Sequence, residues 1–170
     1  MTARRIVLLL LGLLCVPPGA AEAAGWAGIE PGVSTIENVR ARYGAPTRQT
    51  SAKVEGYDTT QWIYEGRQVP AGLQRMTVDF GLLTPSGYKP SMVRLLMLEP
   101  KPHIFGRNTV IEGWGLPDGA TDQGGVTTFY YRAGLFVVFD KEGVSATSMI
   151  FGLPQPDLPE QSAPAAPPKR

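Results

Sequence analysis

The residues of this chain that could do chemistry are few and widely spaced. Its 170 residues include one histidine, His103, and one cysteine, Cys15. An imidazole acts as a general acid or base only when a carboxylate or hydroxyl lies within hydrogen-bond reach. No G-x-S-x-G, H-E-x-x-H or P-loop motif accompanies His103. We therefore predict no catalytic residues, and an enzyme that uses His103 is the least favoured alternative.

Acidic residues offer two further candidate sites. Asp118 and Asp122, with Glu112 nearby, could form a loose calcium loop, but the oxygen spacing and terminal glutamate of an EF-hand are missing. Asp79 could be a buried acid, but its alternation with Met76, Val78 and Phe80 favours the solvent side of a strand. A single cysteine excludes a thiolate zinc cage and a disulfide framework. We expect no metal and no cofactor.

The N-terminus has the pattern of a secretory signal peptide, assigned to residues 1–23. Arg4 and Arg5 precede an apolar run over residues 6–16. This run is too short to cross a hydrocarbon core of about 30 Å as a helix. Ala21 and Ala23 satisfy the small-x-small rule, so we predict cleavage after Ala23. The expected location is the periplasm or the periplasmic face of the outer membrane.

Cleavage would change both the thiol content and the charge. It would remove Cys15, and acylation of Cys15 as a lipoprotein anchor is disfavoured because Leu13 and Leu14 precede it instead of a small residue. The remaining chain would hold 14 basic and 14 acidic residues. A net charge of zero disfavours nucleic acid or an anionic membrane as a partner. No integral membrane span is expected after cleavage.

The clearest local pattern predicts a helix over residues 35–43. Ser34 and Glu37 have the spacing of a capping box, in which the hydroxyl and the carboxylate each accept from a free backbone amide. Gly44 can adopt the left-handed conformation that ends a helix, and Pro46 prevents its continuation.

A similar order of elements returns in the second half. A helix over residues 108–114 is followed by Gly115 and Pro117, and strand patterns follow both helices. We predict an α+β fold of two tandem repeats, each a helix with a three-stranded antiparallel sheet, over residues 24–100 and 101–152. Chance recurrence of Gly-x-Pro is the alternative. A proline-rich tail over residues 153–170 is predicted to be disordered.

These motifs resemble those of the SmpA/OmlA (BamE-like) family. The resemblance rests on Ile29-Glu30-Pro31-Gly32-Val33-Ser34-Thr35, Val39, Gly44-Ala45-Pro46, Trp62-Ile63-Tyr64 and Val78-Asp79-Phe80. The tandem form is similar to the β-lactamase inhibitory protein fold. The resemblance implies a concave sheet that binds another protein of the bacterial cell envelope, as an assembly component or an inhibitor.

Strands of the second half place apolar side chains on both faces of the sheet. One face should cover the helices, and the other should contact a sister layer or a partner protein. We predict that Phe136 and Val138, with Tyr131, form a protein-binding surface. The alternatives are that both faces are core, or that the protein carries a lipid or small ligand in a cavity between sheet and helices.

Overall fold

A computed structural model describes residues 24–155 of the chain. These residues form two short helices and eight strands, and the strands form one antiparallel sheet in the order β1-β2-β3-β4-β8-β7-β6-β5. In chain order the elements are α1 Ile36–Tyr43, β1 Arg48–Val54, β2 Tyr57–Glu65, a 3₁₀ turn Gly66–Gln68, β3 Leu73–Thr84, β4 Gly87–Pro100, α2 Arg107–Trp114, β5 Gly119–Gln123, β6 Val126–Tyr131, β7 Leu135–Phe139 and β8 Ala146–Phe151.

The predicted architecture of two tandem helix-plus-three-stranded repeats is wrong. Four strands follow each helix, and all eight belong to one continuous sheet joined between β4 and β8. The strands absent from the prediction are β1 and β5, which lie at the two edges of the sheet. Every residue of β1 is exposed, and so are all residues of β5 except its first. Edge strands of this kind carry no apolar alternation, so the periodicity of the sequence did not reveal them.

The predicted capping box at α1 is shifted by one residue. The N-cap is Thr35, and the side-chain oxygen of Asn38 accepts a hydrogen bond of 2.8 Å from the backbone amide of Thr35. Ser34 is buried and accepts the amide of Glu30 at 2.9 Å, so its hydroxyl serves the preceding turn. Glu37 accepts the Thr35 hydroxyl at 2.6 Å, and this bond holds the pKa of Glu37 below its usual range.

Both helices pack against one face of the sheet, and the core lies between the helices and that face. Val39 of α1 and Val110 of α2 are fully buried there, while the inward residues of the strands alternate with outward ones. The larger inward side chains include Trp62, Tyr64, Leu73, Met76, Phe80, Leu96, Leu98, Phe129, Tyr131, Leu135, Phe139, Met149 and Phe151.

Each helix ends in the same way. Gly44 and Gly115 are the C-caps, with φ of 75° and 81°, and Pro46 and Pro117 follow two residues later. Each glycine carbonyl accepts a tyrosine hydroxyl from the second strand of its half: Tyr64 donates to Gly44 at 3.0 Å, and Tyr131 donates to Gly115 at 3.1 Å. These bonds fix the end of each helix over the sheet.

The segments that flank the two halves lie close together. Gly32, with φ of 82°, donates its amide to Val93, and its α-carbon faces the side chain of Leu153. The amide of Ala24 donates to Ala133. The predicted signal peptide with Ala21 and Ala23, the acylation candidate Cys15, and residues 156–170 of the predicted tail lie outside the described residues. Between residues 24 and 155, no helix has the length and apolarity needed to span a membrane.

Candidate protein-binding surface

The face of the sheet opposite the helices, here called the open face, carries an apolar strip. A row of paired residues crosses the sheet there in the order Ile63, Thr77, Met97, Ile150, Phe136 and Tyr130. We define the apolar strip as six half-buried side chains of β4, β6, β7 and β8: Leu95, Met97, Tyr130, Phe136, Val138 and Ile150. The rings of Tyr130 and Phe136 meet edge to face, 5.4 Å apart.

The structure places two of the three predicted binding residues on this strip. Phe136 and Val138 lie on the open face, where neither helix packs. Tyr131 does not lie on the strip. It pairs with Leu135, which faces the helices, and the Tyr131 side chain is only 5% exposed. Tyr130 takes the outward position instead. The sequence held this signal, since the likeness of residues 127–131 to residues 60–64 aligns Tyr131 with the inward Tyr64.

A polar cluster adjoins the strip in the first half of the sheet. Asp79 lies on the open face, as its alternation with apolar residues predicts, and pairs with Leu95 of the strip. One carboxylate oxygen of Asp79 accepts the Gln61 side-chain amide at 2.8 Å, and the other lies 3.3 Å from Nη2 of Arg94. Sequence reasoning missed Arg94 and Gln61, because only the register between strands shows that they meet Asp79.

Two clefts lie beside this cluster. One, of about 200 Å³, is lined by Thr50, Gln61, Asp79 and Arg94 together with neighbouring β1 and β2 residues. The other, of about 240 Å³, reaches the outer ends of the β1–β2 and β3–β4 hairpins. Both are smaller than the roughly 300–1,000 Å³ typical of small-molecule sites. Each has room for a side chain of a larger partner.

Three other charged residues of the open face form a paired group. Arg75 lies between Glu65 and Glu99, with nitrogen–oxygen distances of 3.3 and 3.5 Å. These side chains are partly exposed, and such ion pairs contribute about 0–1 kcal/mol to stability. They border the apolar strip with one basic and two acidic side chains.

The predicted chemical candidates do not assemble into a site. His103 is exposed, with φ of 65°, and its backbone amide donates to the Ser145 hydroxyl at 2.8 Å. Among the described residues its imidazole has no hydrogen bond or ion pair to a carboxylate or hydroxyl. The same part of the chain contains no group of three or more His, Cys, Asp and Glu residues able to hold a metal.

The three acidic residues of the candidate calcium loop have separate roles. Asp118 accepts the backbone amide of Arg132 at 2.8 Å and its Nε at 2.7 Å, and these bonds hold the pKa of Asp118 below its usual range. Asp122 accepts from Gly125 in the β5–β6 turn. Glu112 lies exposed on α2. Within the described residues, the three carboxylates therefore do not form a common cation site.

Comparisons with known proteins add little to this description. No family model matches the chain, and no curated protein matches its sequence. A solved structure of a DUF4309 family protein (YjgB) from Bacillus subtilis matches with a TM-score of 0.47 and 12% identity, covering 75% of this chain and 83% of that one. This likeness carries no inference about activity. The resemblance to the SmpA/OmlA family and the β-lactamase inhibitory protein fold stays a prediction.

Proposed function

We propose that this chain is a non-enzymatic binding module that holds another protein against the apolar strip. The observation that carries the proposal is the strip itself, six apolar or aromatic side chains side by side on a sheet face that neither helix covers. The predicted signal peptide gives the expected setting, in which the partner is a protein of the cell envelope.

Burial of the strip would supply much of the driving force. Removing apolar surface from water contributes about 25 cal/mol per Å². Tyr and Phe are enriched in the cores of protein interfaces, and the strip has one of each in direct contact. The paired Arg75, Glu65 and Glu99 border it as a polar rim borders an interface.

The strip is also held in place before any partner arrives. Phe136 and Val138 alternate along β7 with Leu135, Val137 and Phe139, which are buried against the helices. A side chain on a strand anchored in this way needs little reordering on binding, and less entropy is lost. The sheet therefore supports a rigid docking surface.

Site-specific photo-crosslinking tests the proposal in cells that produce the full chain. A benzophenone amino acid replaces Phe136 on the strip or, as the matched control, Val144, which is 56% exposed in the β7–β8 turn. We expect position 136 to crosslink a protein that position 144 does not, and Val138→Asp to abolish that adduct. Equal labelling from both positions, or labelling that Val138→Asp does not change, would overturn the proposal.

A further inference from the structure

We propose that the partner carries an acidic side chain that Arg94 binds, in a groove that continues from the apolar strip onto the first half of the open face. This inference rests on the proposed function and specifies the chemistry of the partner. The occupant is a protein segment in which a carboxylate is flanked by apolar residues.

The groove is formed by the two clefts beside the polar cluster. Both are lined by Val54, Thr59 and Arg94, so they form one groove with Arg94 at its middle. Arg94 reaches this position because it is the extra residue of a β-bulge: the pairing passes from Asp79 with Leu95 to Phe80 with Val93.

The far end of the groove is lined by exposed apolar and aromatic side chains, with the carboxylate of Glu55 in the β1–β2 turn among them. The rings of Tyr57 and Tyr88 stack there 4.6 Å apart, and Leu83 is 52% exposed beside them. The floor includes Gly81, where a β-carbon would collide with the Tyr88 hydroxyl. The near end reaches Asp79, whose strand partner Leu95 belongs to the strip. Apolar contacts are therefore available on both sides of Arg94.

The hydrogen-bond count at Arg94 shows which group is missing. A guanidinium has five N–H donors and no acceptor. Within the described residues, its one polar contact is from Nη2 to Asp79, and its buried Nε has no partner. Both oxygens of Asp79 are already engaged, by Gln61 and by Arg94. The guanidinium therefore keeps unused donors, and a ligand in the groove would bind them with acceptor atoms.

A carboxylate is the acceptor that best meets this need. It can take two parallel bonds from one guanidinium, and charge-assisted bonds of this kind are about twice as strong as neutral ones. The Arg94 side chain is 36% exposed, so it can be reached from the groove. Arg75 on the same face lacks this capacity because Glu65 and Glu99 already occupy it.

Peptide display on the immobilised protein tests the inference. Random dodecapeptides are selected on the wild-type chain, and the affinity of the selected peptides is measured by fluorescence anisotropy. We expect Asp or Glu to be enriched at one position between apolar residues. Arg94→Gln should weaken these peptides by about tenfold or more, because the partner's charge loses its desolvated pair. Arg94→Lys, which keeps the charge but not the planar fork, should weaken them less.

A matched substitution controls for net charge. Arg42→Gln removes the same charge from exposed α1, on the helix side of the sheet, and should change affinity by less than about twofold. Thermal unfolding of each variant reports whether it folds. If Arg94→Gln does not fold, the comparison of Arg94→Lys with Arg42→Gln decides.

The possible outcomes separate this inference from the proposed function. Peptides that are lost with Phe136→Asp but contain no acidic residue, or ignore the Arg94 variants, would overturn the carboxylate site and leave the binding strip intact. A selection whose peptides depend on neither Phe136 nor Arg94 would overturn both.

Discussion

The two halves of the sheet have the same construction, but the open face is polar in the first half and apolar in the second. Each half is a helix followed by four strands, with a glycine cap bound by a tyrosine hydroxyl. On the helix side, inward residues match in character: Trp62 and Phe80 meet edge to face at 5.1 Å, as Phe129 and Phe139 do at 4.9 Å. The shared construction is therefore the one that packs the core.

The open faces differ at the positions between those core residues. Asp79 precedes Phe80 in the first half, whereas Val138 precedes Phe139 in the second. The β-bulge lies at the corresponding place in both, but its extra residue is Arg94 in one and Thr147 in the other. Residues free of the core can differ without loss of the fold, and the proposed binding surface consists of side chains at these positions.

Removing the inward aromatic residue of each half should have the largest effect. Trp62 and Phe129 are 1% and 5% exposed, and truncation of such side chains leaves a cavity. We expect Trp62→Ala and Phe129→Ala each to lower the free energy of unfolding by about 3–5 kcal/mol. Urea denaturation measures this, with Leu83→Ala, at a 52% exposed position, as a control expected within about 0.5 kcal/mol. A cost below 1 kcal/mol in one half would show that the two cores are not equivalent.

Substitution of the capping glycines should have an intermediate effect. Gly44→Ala and Gly115→Ala place an L-residue at φ of 75° and 81° with ψ of −159° and −172°, a region essentially confined to glycine, and each should cost about 1–3 kcal/mol. A β-carbon at either position meets nothing within 4 Å, so strain alone is measured. Gly113→Ala within α2 also meets no neighbour and should instead stabilise by about 0.5–1 kcal/mol. Thermal melts that rank Gly113→Ala with the caps would contradict this account.

Removing the paired tyrosine hydroxyls should have the smallest effect at neutral pH. Tyr64→Phe and Tyr131→Phe each delete one bond to a glycine carbonyl, which is worth about 0.5–1.5 kcal/mol. Burial raises the pKa of Tyr64 to about 12, and burial with the nearby Asp118 charge raises the pKa of Tyr131.

The raised pKa values give these variants a signature at alkaline pH. A tyrosine whose pKa is higher in the folded than in the unfolded chain contributes its full stabilisation below the ordinary pKa near 10. This contribution is lost as the pH rises from 10 toward 12. Unfolding midpoints of the wild type should fall across that range, and those of Tyr64→Phe should fall less steeply. Tyr57→Phe, at a 38% exposed position, is the control expected to follow the wild type. Parallel curves for Tyr64→Phe and the wild type would show that burial of the Tyr64 hydroxyl does not cause the loss of stability at alkaline pH.

Local sequence patterns located the helices well and the sheet only in part. Predicted helices over residues 35–43 and 108–114 lie within one residue of α1 and α2 at each end, because apolar spacing and Gly-x-Pro endings are local signals. The edge strand β1, Arg48–Val54, has no such signal. Its pairing with β2 depends on hydrogen bonds to a neighbour, which a single strand's side chains do not encode.

The candidate site was predictable where alternation alone decides it. Phe136 and Val138 follow from the alternation along β7. The assignment of Tyr131 was wrong, although its alignment with the inward Tyr64 already indicated the helix side of the sheet. Arg94 could not be found at all. Its position depends on a bulge, and bulges arise from the pairing of two strands that lie apart in sequence.

The central place of β8 has a consequence for biosynthesis. It is the last of the eight strands to be made, yet it lies between β4 and β7, and its residues 149–151 bind residues 96–98 of the first half. While the ribosome is still translating the second half, β4 is paired with β3 on one side, but its other edge, which later pairs with β8, is unpaired. The nascent first half therefore exposes an open strand edge until β8 emerges, and this interval is when the chain most needs protection from aggregation.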